Sequence, residues 1–300
     1  MTSREQVQTP GERLRALISD EVPEDLKPPE AWRHTRSRSL SSMLGSLWRG
    51  RHIVRTITER NLRVRYKQSF LGFAWALLTP VGLLLGLIIV FHRVAGVDAG
   101  GLPYPLFAYV GLLAWTFFAT GTSLGGNSVV NDKALLTKSR FPREVFPLSG
   151  VAVAAVDAVM GLVPLAVLFV LEGRAPSVTT PLAVLPLLVL LAFTTGVALG
   201  LSAIIVYLRD VRLALPVLLQ IGLFVTPVAY GLDLVPAWGR LAYCFANPVA
   251  PVIDGLRSTV LRGEMPRWDY LGAGAFTASV VLVGGYVLFK RLDGNFADVA

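Results

Sequence analysis

Residues 49–91 carry the strongest structural signal in the sequence, because a basic segment changes there abruptly into an apolar one. Seven Lys and Arg residues lie between Arg49 and Lys67, whereas no charged residue occurs from Ser69 to Phe91. About 20 apolar residues, at a rise of about 1.5 Å each, cross the hydrocarbon core of a bilayer. The uncharged run therefore predicts a membrane span at 71–91. The cations before it predict that its amino-terminal end lies in the cytoplasm.

The composition supports a membrane protein rather than a soluble one. Mean hydropathy is +0.58 and only 16% of the residues are charged, whereas soluble domains average about 25%. A net charge of +8 on a polar domain would favour nucleic-acid binding. The cations instead lie before and between the apolar runs, as expected for basic cytoplasmic loops.

The apolar runs predict an all-α integral membrane protein, with a transmembrane domain over residues 69–291. Two prolines, Pro216 and Pro227, predict a kink or break in the fifth span. Residues 246–260 are apolar enough to form a re-entrant extracytoplasmic segment between spans five and six. The six predicted spans are 71–91, 104–124, 145–171, 181–207, 213–230 and 271–289.

The distribution of cations tests this topology with both termini in the cytoplasm. Of the 28 Lys and Arg residues, most fall on the side assigned to the cytoplasm, as the bias of short loops requires. Those on the opposite side are Arg93, Arg174, Arg240, Arg257, Arg262 and Arg267.

Three segments outside the spans have their own character. The polar, proline-containing residues 1–48 predict a mobile cytoplasmic tail, and residues 292–300 form a second, short tail. Residues 49–68 predict a helix lying along the membrane interface, because Ile53, Ile57 and Val64 share one helical face.

The connection between spans two and three, residues 131–143, predicts a short amphipathic helix in the cytoplasm. Asn131 suits the N-cap and Pro142 ends the helix. Such a helix can dock in a groove of a partner protein. The alternative is an amphipathic loop resting on lipid.

The sequence offers no catalytic machinery of its own. It contains no G-x-x-x-x-G-K-[ST] phosphate-binding loop and no hydrolase-like arrangement. The single Cys244 and three scattered histidines predict no metal site. Any transport energy must then come from an ion gradient or another subunit. Asp157 is the ionisable residue within the spans, where charge is costly, and it predicts either an ion relay or a structural hydrogen bond to a neighbouring helix.

Several local motifs, in order from about residue 50 to 290, resemble those of polysaccharide-exporting ABC permeases, the membrane subunits of type 2 exporters. The sequence departs from the family at Asn61, where an acid is common, and in its longer amino-terminal tail. The motifs are Arg60-Asn61-Leu62-Arg63-Val64-Arg65-Tyr66, Ser69-Phe70-Leu71-Gly72, Trp75, Pro80, Phe141-Pro142-Arg143-Glu144-Val145, Pro147-Leu148, Arg209-Asp210, Thr226-Pro227-Val228-Ala229-Tyr230, Asn247-Pro248 and Arg257.

This resemblance implies a homodimer in the bacterial inner membrane with two separate ATPase subunits, which bind ATP and Mg. The cargo would be lipid-linked polysaccharide such as O-antigen or teichoic acid. The chain itself would bind no cofactor and would not be an enzyme. The interfacial helix would act as a gate through Arg60, Arg63, Tyr66 and Lys67. The ATPase stroke would be received by Asn131, Lys133, Leu135, Leu136, Lys138, Phe141 and Arg143.

Aromatic side chains are candidates for lining the conduit, because sugar rings present apolar C–H faces. An alternative is an aromatic belt at the membrane interface. Helix packing at the subunit interface would use the G-x-x-x-G pairs Gly82/Gly86, Gly121/Gly125 and Gly196/Gly200. The conduit candidates are Trp75, Phe107, Trp115, Phe118, Phe224 and Tyr230.

Three other functions stay open from the sequence. The same architecture could export a lipid or a drug, the chain could be an ion-coupled secondary transporter using Asp157, or it could be a membrane scaffold. In an ion-coupled transporter, replacement of Asp157 by Asn should abolish transport, whereas charge reversal at Lys138 and Arg143 should matter little. The opposite outcome would support the exporter.

Overall fold

The computed structural model describes residues 40–67, 74–132, 135 and 142–293, and every regular element in these ranges is helical. The chain divides into two units, residues 1–42 and 43–300, and the contacts reported below lie in the second. Short π-helical or 3₁₀ turns extend several helices. The α-helices are α1 (Leu40–Lys67), α2 (Ala74–Leu87), α3 (Tyr104–Asn131), α4 (Val145–Met160), α5 (Leu162–Leu171), α6 (Val184–Tyr207), α7 (Arg209–Val225), α8 (Arg240–Ala246), α9 (Val249–Arg257) and α10 (Trp268–Leu292).

Five stretches of helix in the described ranges are long and apolar enough to cross a membrane, so this is a multi-pass membrane protein. They overlap the predicted spans one to four and six, with α4 and α5 forming one span that is interrupted at Gly161. The helix α7, with 17 residues, is not one of the five. The stretches are Leu77–Val94, Tyr104–Asn131, Val145–Leu171, Thr180–Tyr207 and Trp268–Leu292.

Helix α3 lies at the centre of the fold and packs against α4 and α6. Glycines bring these backbones together. A Cβ atom on Gly121 would come within 2.7 Å of Thr194 on α6, and one on Gly125 within 2.7 Å of Ala198. On α4, a Cβ on Gly150 would overlap the backbone of Gly125. Small residues thus allow helix packing without any hydrophobic driving force from lipid.

Helix α10 packs against α6 in the same way. A Cβ on Gly196 would lie 2.6 Å from the Cα of Leu282, and one on Gly285 would overlap the carbonyl oxygen of Gly196. Two of the three predicted G-x-x-x-G pairs therefore serve packing inside the chain. A Cβ atom added to Gly82 or Gly86 on α2 would have no atom of the described residues within 4 Å, apart from the backbone of its own helix.

Three helix boundaries differ from those predicted. The fifth helix ends at Val225 rather than Tyr230, because Thr226 precedes a proline and adopts an extended backbone. Pro216 lies inside α7 without ending it. The interfacial helix begins at Leu40 rather than at residue 49, and residues 1–39 of the predicted tail lie outside the described residues.

The third difference concerns Asn131, which was predicted to start a new helix and in fact ends α3. The Asp132 N–H donates to the Ser128 carbonyl at 3.0 Å, so the second span continues as one helix past residue 124. The N-cap assignment for Asn131 is therefore wrong. Tertiary packing against α4 and α6 keeps the glycine-containing segment helical.

Three apolar clusters fill the interior of the described part of the chain, and the third, around Leu232 and Cys244, is the smallest. The first joins α3, α9 and the start of α6. The second lies toward the predicted cytoplasmic side, where Ile57 of α1 packs with Val145, Phe146 and Phe289. On the same predicted apolar face of α1, Ile57 is buried in the protein and Val64 is 71% exposed. All residues of α9, within the segment predicted to be re-entrant, are buried.

Candidate functional site

The interfacial helix α1 is joined to the end of α3 by an ion pair. The Arg60 guanidinium donates to Oδ1 of Asp132, the residue that follows α3. It also donates to Oδ1 of Asn61, with Nη2 2.8 Å away. The amide oxygen of Asn61 thus accepts two hydrogen bonds from the Arg60 guanidinium. Arg63 is exposed.

A second set of contacts joins the end of α1 to the last turn of α4. Arg65 Nη1 donates to Oδ2 of Asp157 at 2.8 Å, and the Tyr66 hydroxyl donates to Oδ1 at 2.7 Å. Burial, followed by the hydrogen bond to Asp157, raises the pKa of Tyr66 to about 12. The hydroxyl therefore stays protonated and continues to donate at neutral pH. This geometry corresponds to the structural hydrogen bond, the second of the two roles predicted for Asp157.

A cavity of about 300 Å³ lies beside this contact, between α1, α2, α3 and α4. Its lining combines a charged pair, threonine hydroxyls and aromatic rings. The lining residues are Arg65, Tyr66, Trp75, Thr79, Pro80, Leu113, Thr116, Phe117, Thr120, Ala154, Asp157, Ala158 and Gly161.

Four charged groups join the start of α4 to the end of α10. Lys290 Nζ lies 2.6 Å from Oε1 of Glu144, whose side chain is almost fully buried, and 3.7 Å from Oδ2 of Asp293. Arg143 Nη1 lies 3.2 Å from Oδ1 of Asp293 and donates to its carbonyl oxygen. Burial raises the pKa of the Asp293 carboxyl, and Lys290 and Arg143 oppose that shift.

The predicted coupling residues are only partly within the described ranges. Asn131 Oδ1 accepts a hydrogen bond from Arg212 Nη2 at 3.0 Å, which joins α3 to the start of α7. Leu135 packs against the second apolar cluster, and Arg143 pairs with Asp293. Residues Lys133, Leu136, Lys138 and Phe141 lie outside the described residues, as does the side chain of Lys67.

Arg257 forms the densest polar contact in the described part of the chain. Its side chain is 2% exposed and its guanidinium carbon lies 3.5 Å from the centre of the Phe107 ring. Buried cations require satisfied donors, and here carbonyl oxygens of α3 and of the turn after α7 accept all the bonds. They belong to Phe107 (3.0 Å), Pro227 (2.9 Å), Val228 (2.6 Å) and Tyr230 (3.0 Å).

Neighbouring side chains also hold the turn at residues 226–230. We call these contacts, together with those of Arg257, the clamp. The hydroxyls of Tyr230 and Tyr243 donate to the Val225 carbonyl at 2.6 and 2.5 Å, and Asn247 Nδ2 donates to Thr226 Oγ1 at 2.9 Å. The sequence motifs at 226–230, 247–248 and 257 thus meet in one place. Sequence analysis assigned no role to Arg257, although a cation within an apolar segment is a signal of an internal partner.

The conduit candidates separate into core and surface residues. Phe107 lies under Arg257, and Trp115 fills the space beside Gly222. Phe118 stacks on Phe193 with ring centres 5.3 Å apart. These contacts place Phe107 and Trp115 in the protein core. Trp75 and Phe224 are exposed, whereas Tyr230 is half-buried.

Residues that could hold a metal are scarce. Within residues 40–67, 74–132 and 142–293, no three His, Cys, Asp or Glu side chains come together in a group. The polar clusters are instead pairs of opposite charge and arginine–carbonyl contacts, which join helices.

Comparisons with known proteins agree with this arrangement. Residues 52–261 match the family described as ABC-2 type transporter. The chain is 29% identical over 257 residues to the O-antigen export system permease protein RfbA of Myxococcus xanthus, covering 85% of this chain and 98% of that protein. It is 26% identical to RfbA of Klebsiella pneumoniae, over 81% of this chain and 93% of that one. Identity to the polysialic acid transport protein KpsM of Escherichia coli is 23%, over 80% and 93%.

Proposed function

Because the chain belongs to the ABC-2 type transporter family, we propose that it is the channel-forming permease subunit of an ATP-driven exporter of lipid-linked polysaccharide. The observation that carries this proposal is the similarity to O-antigen export permeases along nearly their whole length. The exporter would move an O-antigen-like or related cell-envelope glycan outward across the bacterial inner membrane.

The proposal includes α7 as a membrane span, the fifth along the chain, which brings the number of spans to six. Its 17 residues correspond to about 26 Å at about 1.5 Å per residue, close to the thickness of the hydrocarbon core, about 30 Å. The turn at 226–230, held by Arg257, would complete the crossing inside the protein, where irregular backbone is tolerated. Both termini then lie in the cytoplasm, in agreement with the distribution of Lys and Arg.

The energy source would be a separate ATPase chain that binds ATP and Mg, with two permease and two ATPase copies in the complex. The connection at 131–143 would receive its stroke. Asp132 is both the start of this connection and the ion-pair partner of Arg60. A displacement of the connection would therefore reach the interfacial helix directly, and through Arg65 it would reach Asp157 on α4.

The test is reconstitution of the permease with and without its ATPase chain in vesicles. We expect the two chains to co-purify and ATP to drive glycan translocation. Stimulation of ATP hydrolysis by an amphiphilic drug or a lipid, but not by lipid-linked glycan, would favour the alternative cargo. Transport by the permease alone under a proton or sodium gradient would contradict the proposal and favour the ion-coupled alternative.

A further inference from the structure

The cavity beside Asp157 has no assigned role, and its charge restricts what it can bind. Among the described residues that line it, the two charged side chains, Arg65 and Asp157, pair with each other at 2.8 Å. Their formal charges cancel. A charged headgroup of either sign would meet one like and one opposite charge there, so it would lose hydration without a net electrostatic gain. The cavity therefore favours an uncharged ligand.

The polar groups of the cavity suit hydroxyl groups. Each carboxylate oxygen of Asp157 accepts one hydrogen bond from α1, and a carboxylate has about four lone-pair sites. The hydroxyls of Thr79 and Thr116 donate to the carbonyls of Trp75 and Leu113, at 2.9 and 3.0 Å. Their oxygens keep lone pairs that can accept. A ligand with several O–H groups is thus matched by several acceptors.

The remaining lining offers aromatic surface at the same place. Trp75 is 53% exposed, and Phe117 contributes a second ring to the lining. Aromatic faces pack against the C–H faces of a pyranose, while carboxylate and hydroxyl oxygens accept from its O–H groups. A volume of about 300 Å³ is at the lower end of small-molecule sites, about 300–1,000 Å³, and suits one or two sugar rings.

We infer that this cavity binds an uncharged sugar unit of the cargo next to the interfacial helix. The inference rests on the proposed function, since it names the part of the glycan that the permease recognises. A sugar bound here would lie against the contacts that Arg65 and Tyr66 of α1 make with Asp157 of α4. The interfacial helix would therefore respond to the presence of a sugar.

The binding test uses a cysteine in the cavity of the full-length chain in lipid vesicles. The variant Thr120→Cys reports access to the cavity by its rate of maleimide labelling, and Cys244 is fully buried. Val178→Cys, at an exposed position outside the cavity, is the control. The probes are decyl glucoside, decyl galactoside, decyl phosphate and decanol, which share one chain and differ in the headgroup.

We expect a decyl glycoside to slow labelling of Thr120→Cys about fivefold, as for a probe at about four times its Kd. Decyl phosphate and decanol should leave the rate nearly unchanged, and Val178→Cys should be labelled equally with every probe. Protection by decyl phosphate alone would overturn the inference in favour of an anion site. Equal protection by decanol, or none by either glycoside, would overturn it as well.

A substitution that fills the cavity with a side chain provides a second test. Ala158→Phe places a ring in the cavity, whereas Ala166→Phe adds the same ring at an exposed position of α5. We expect only Ala158→Phe to abolish glycoside protection of a cysteine at position 120 and to lower export, with the ATPase chain still bound. Retained protection in Ala158→Phe would contradict the inference. Because labelling needs no ATPase chain, absence of any glycan export would count against the proposed function alone.

Discussion

Arg65 Nη1 lies 2.8 Å from Oδ2 of Asp157, and this ion pair joins the end of the interfacial helix to the middle of a membrane span. The hydroxyl of the next residue, Tyr66, donates to the other carboxylate oxygen. The acid within the span thus serves as an anchor for α1. Mutation of a carboxylate that holds two helices together should lower export only in part, whereas mutation of a carboxylate that carries a transported ion should abolish it.

Replacement of Asp157 by Asn should weaken the anchor without abolishing export. The amide oxygen can still accept from Tyr66, but the ion pair is lost, at a cost of about 1 kcal/mol because Arg65 is partly exposed. We expect a loss of export of about two- to tenfold, and a similar loss for Arg65→Gln. Measurement of glycan export by whole cells checks both. Complete loss in Asp157→Asn with a normal Arg65→Gln would indicate ion coupling instead.

The Tyr66 hydroxyl should not titrate in the physiological range. The pKa of Tyr66 is raised from 10 to about 12, so its stabilising contribution is fully present below pH 10 and is lost as pH rises through 12. The difference in melting temperature between wild type and Tyr66→Phe should be constant from about pH 6 to 9 and shrink above pH 10. Differential scanning fluorimetry of the purified protein measures it. A difference that changes below pH 9 would contradict this assignment.

Arg257 should be essential for folding of the region around the turn at residues 226–230. Arg257→Lys supplies a single ammonium, which cannot reach four carbonyl oxygens on two elements, and each unsatisfied buried carbonyl costs about 1–3 kcal/mol. We expect a destabilisation of at least about 3 kcal/mol, seen as low yield of monodisperse protein. Arg174→Lys, at an exposed outer position, is the matched control and should behave as wild type. Equal yields for the two variants would refute the clamp.

Two adjacent glycines of α10 should respond oppositely to alanine. Gly285→Ala would push a methyl group into the carbonyl oxygen of Gly196, whereas no described atom lies within 4 Å of a Cβ on Gly284. Overpacking costs about 1–3 kcal/mol, and Gly to Ala in an unobstructed helix gains up to about 1 kcal/mol. Thermal unfolding in detergent should show Gly285→Ala below wild type and Gly284→Ala at or above it. The reverse order would exclude this packing.

The role of Arg143 can be separated from a direct contact with the ATPase chain. If Arg143 acts through Asp293, 3.2 Å away, then Arg143→Gln, Asp293→Asn and the double variant should lower glycan-stimulated ATP hydrolysis by similar factors. Residues in contact are non-additive in this way. Multiplied losses in the double variant would show that Arg143 has an independent partner.

The fold could be predicted from the sequence where one local property decides. Apolar length sets the spans at 145–171, 181–207 and 271–289, which the helices match closely, because lipid forces a spanning backbone to be helical. Pro216 and Pro227 indicated that the fifth helix is interrupted. The helix ends before Pro227 and continues through Pro216. The extension of α3 to Asn131 was not predictable from capping preferences, since packing across Gly125 and Gly150 outweighs them.

The sequence by itself determined a multi-pass helical protein with basic segments on one side, because hydropathy and charge act at every position regardless of fold. The tertiary structure decided which charges meet. Arg65 and Asp157 are 92 residues apart, and Arg257 reaches a carbonyl 150 residues away. Hydrogen bonds act only within about 3 Å, and residue order does not encode which distant helices approach to that distance. Packing of the glycine faces sets those approaches, and with them the anchor, the clamp and the cavity.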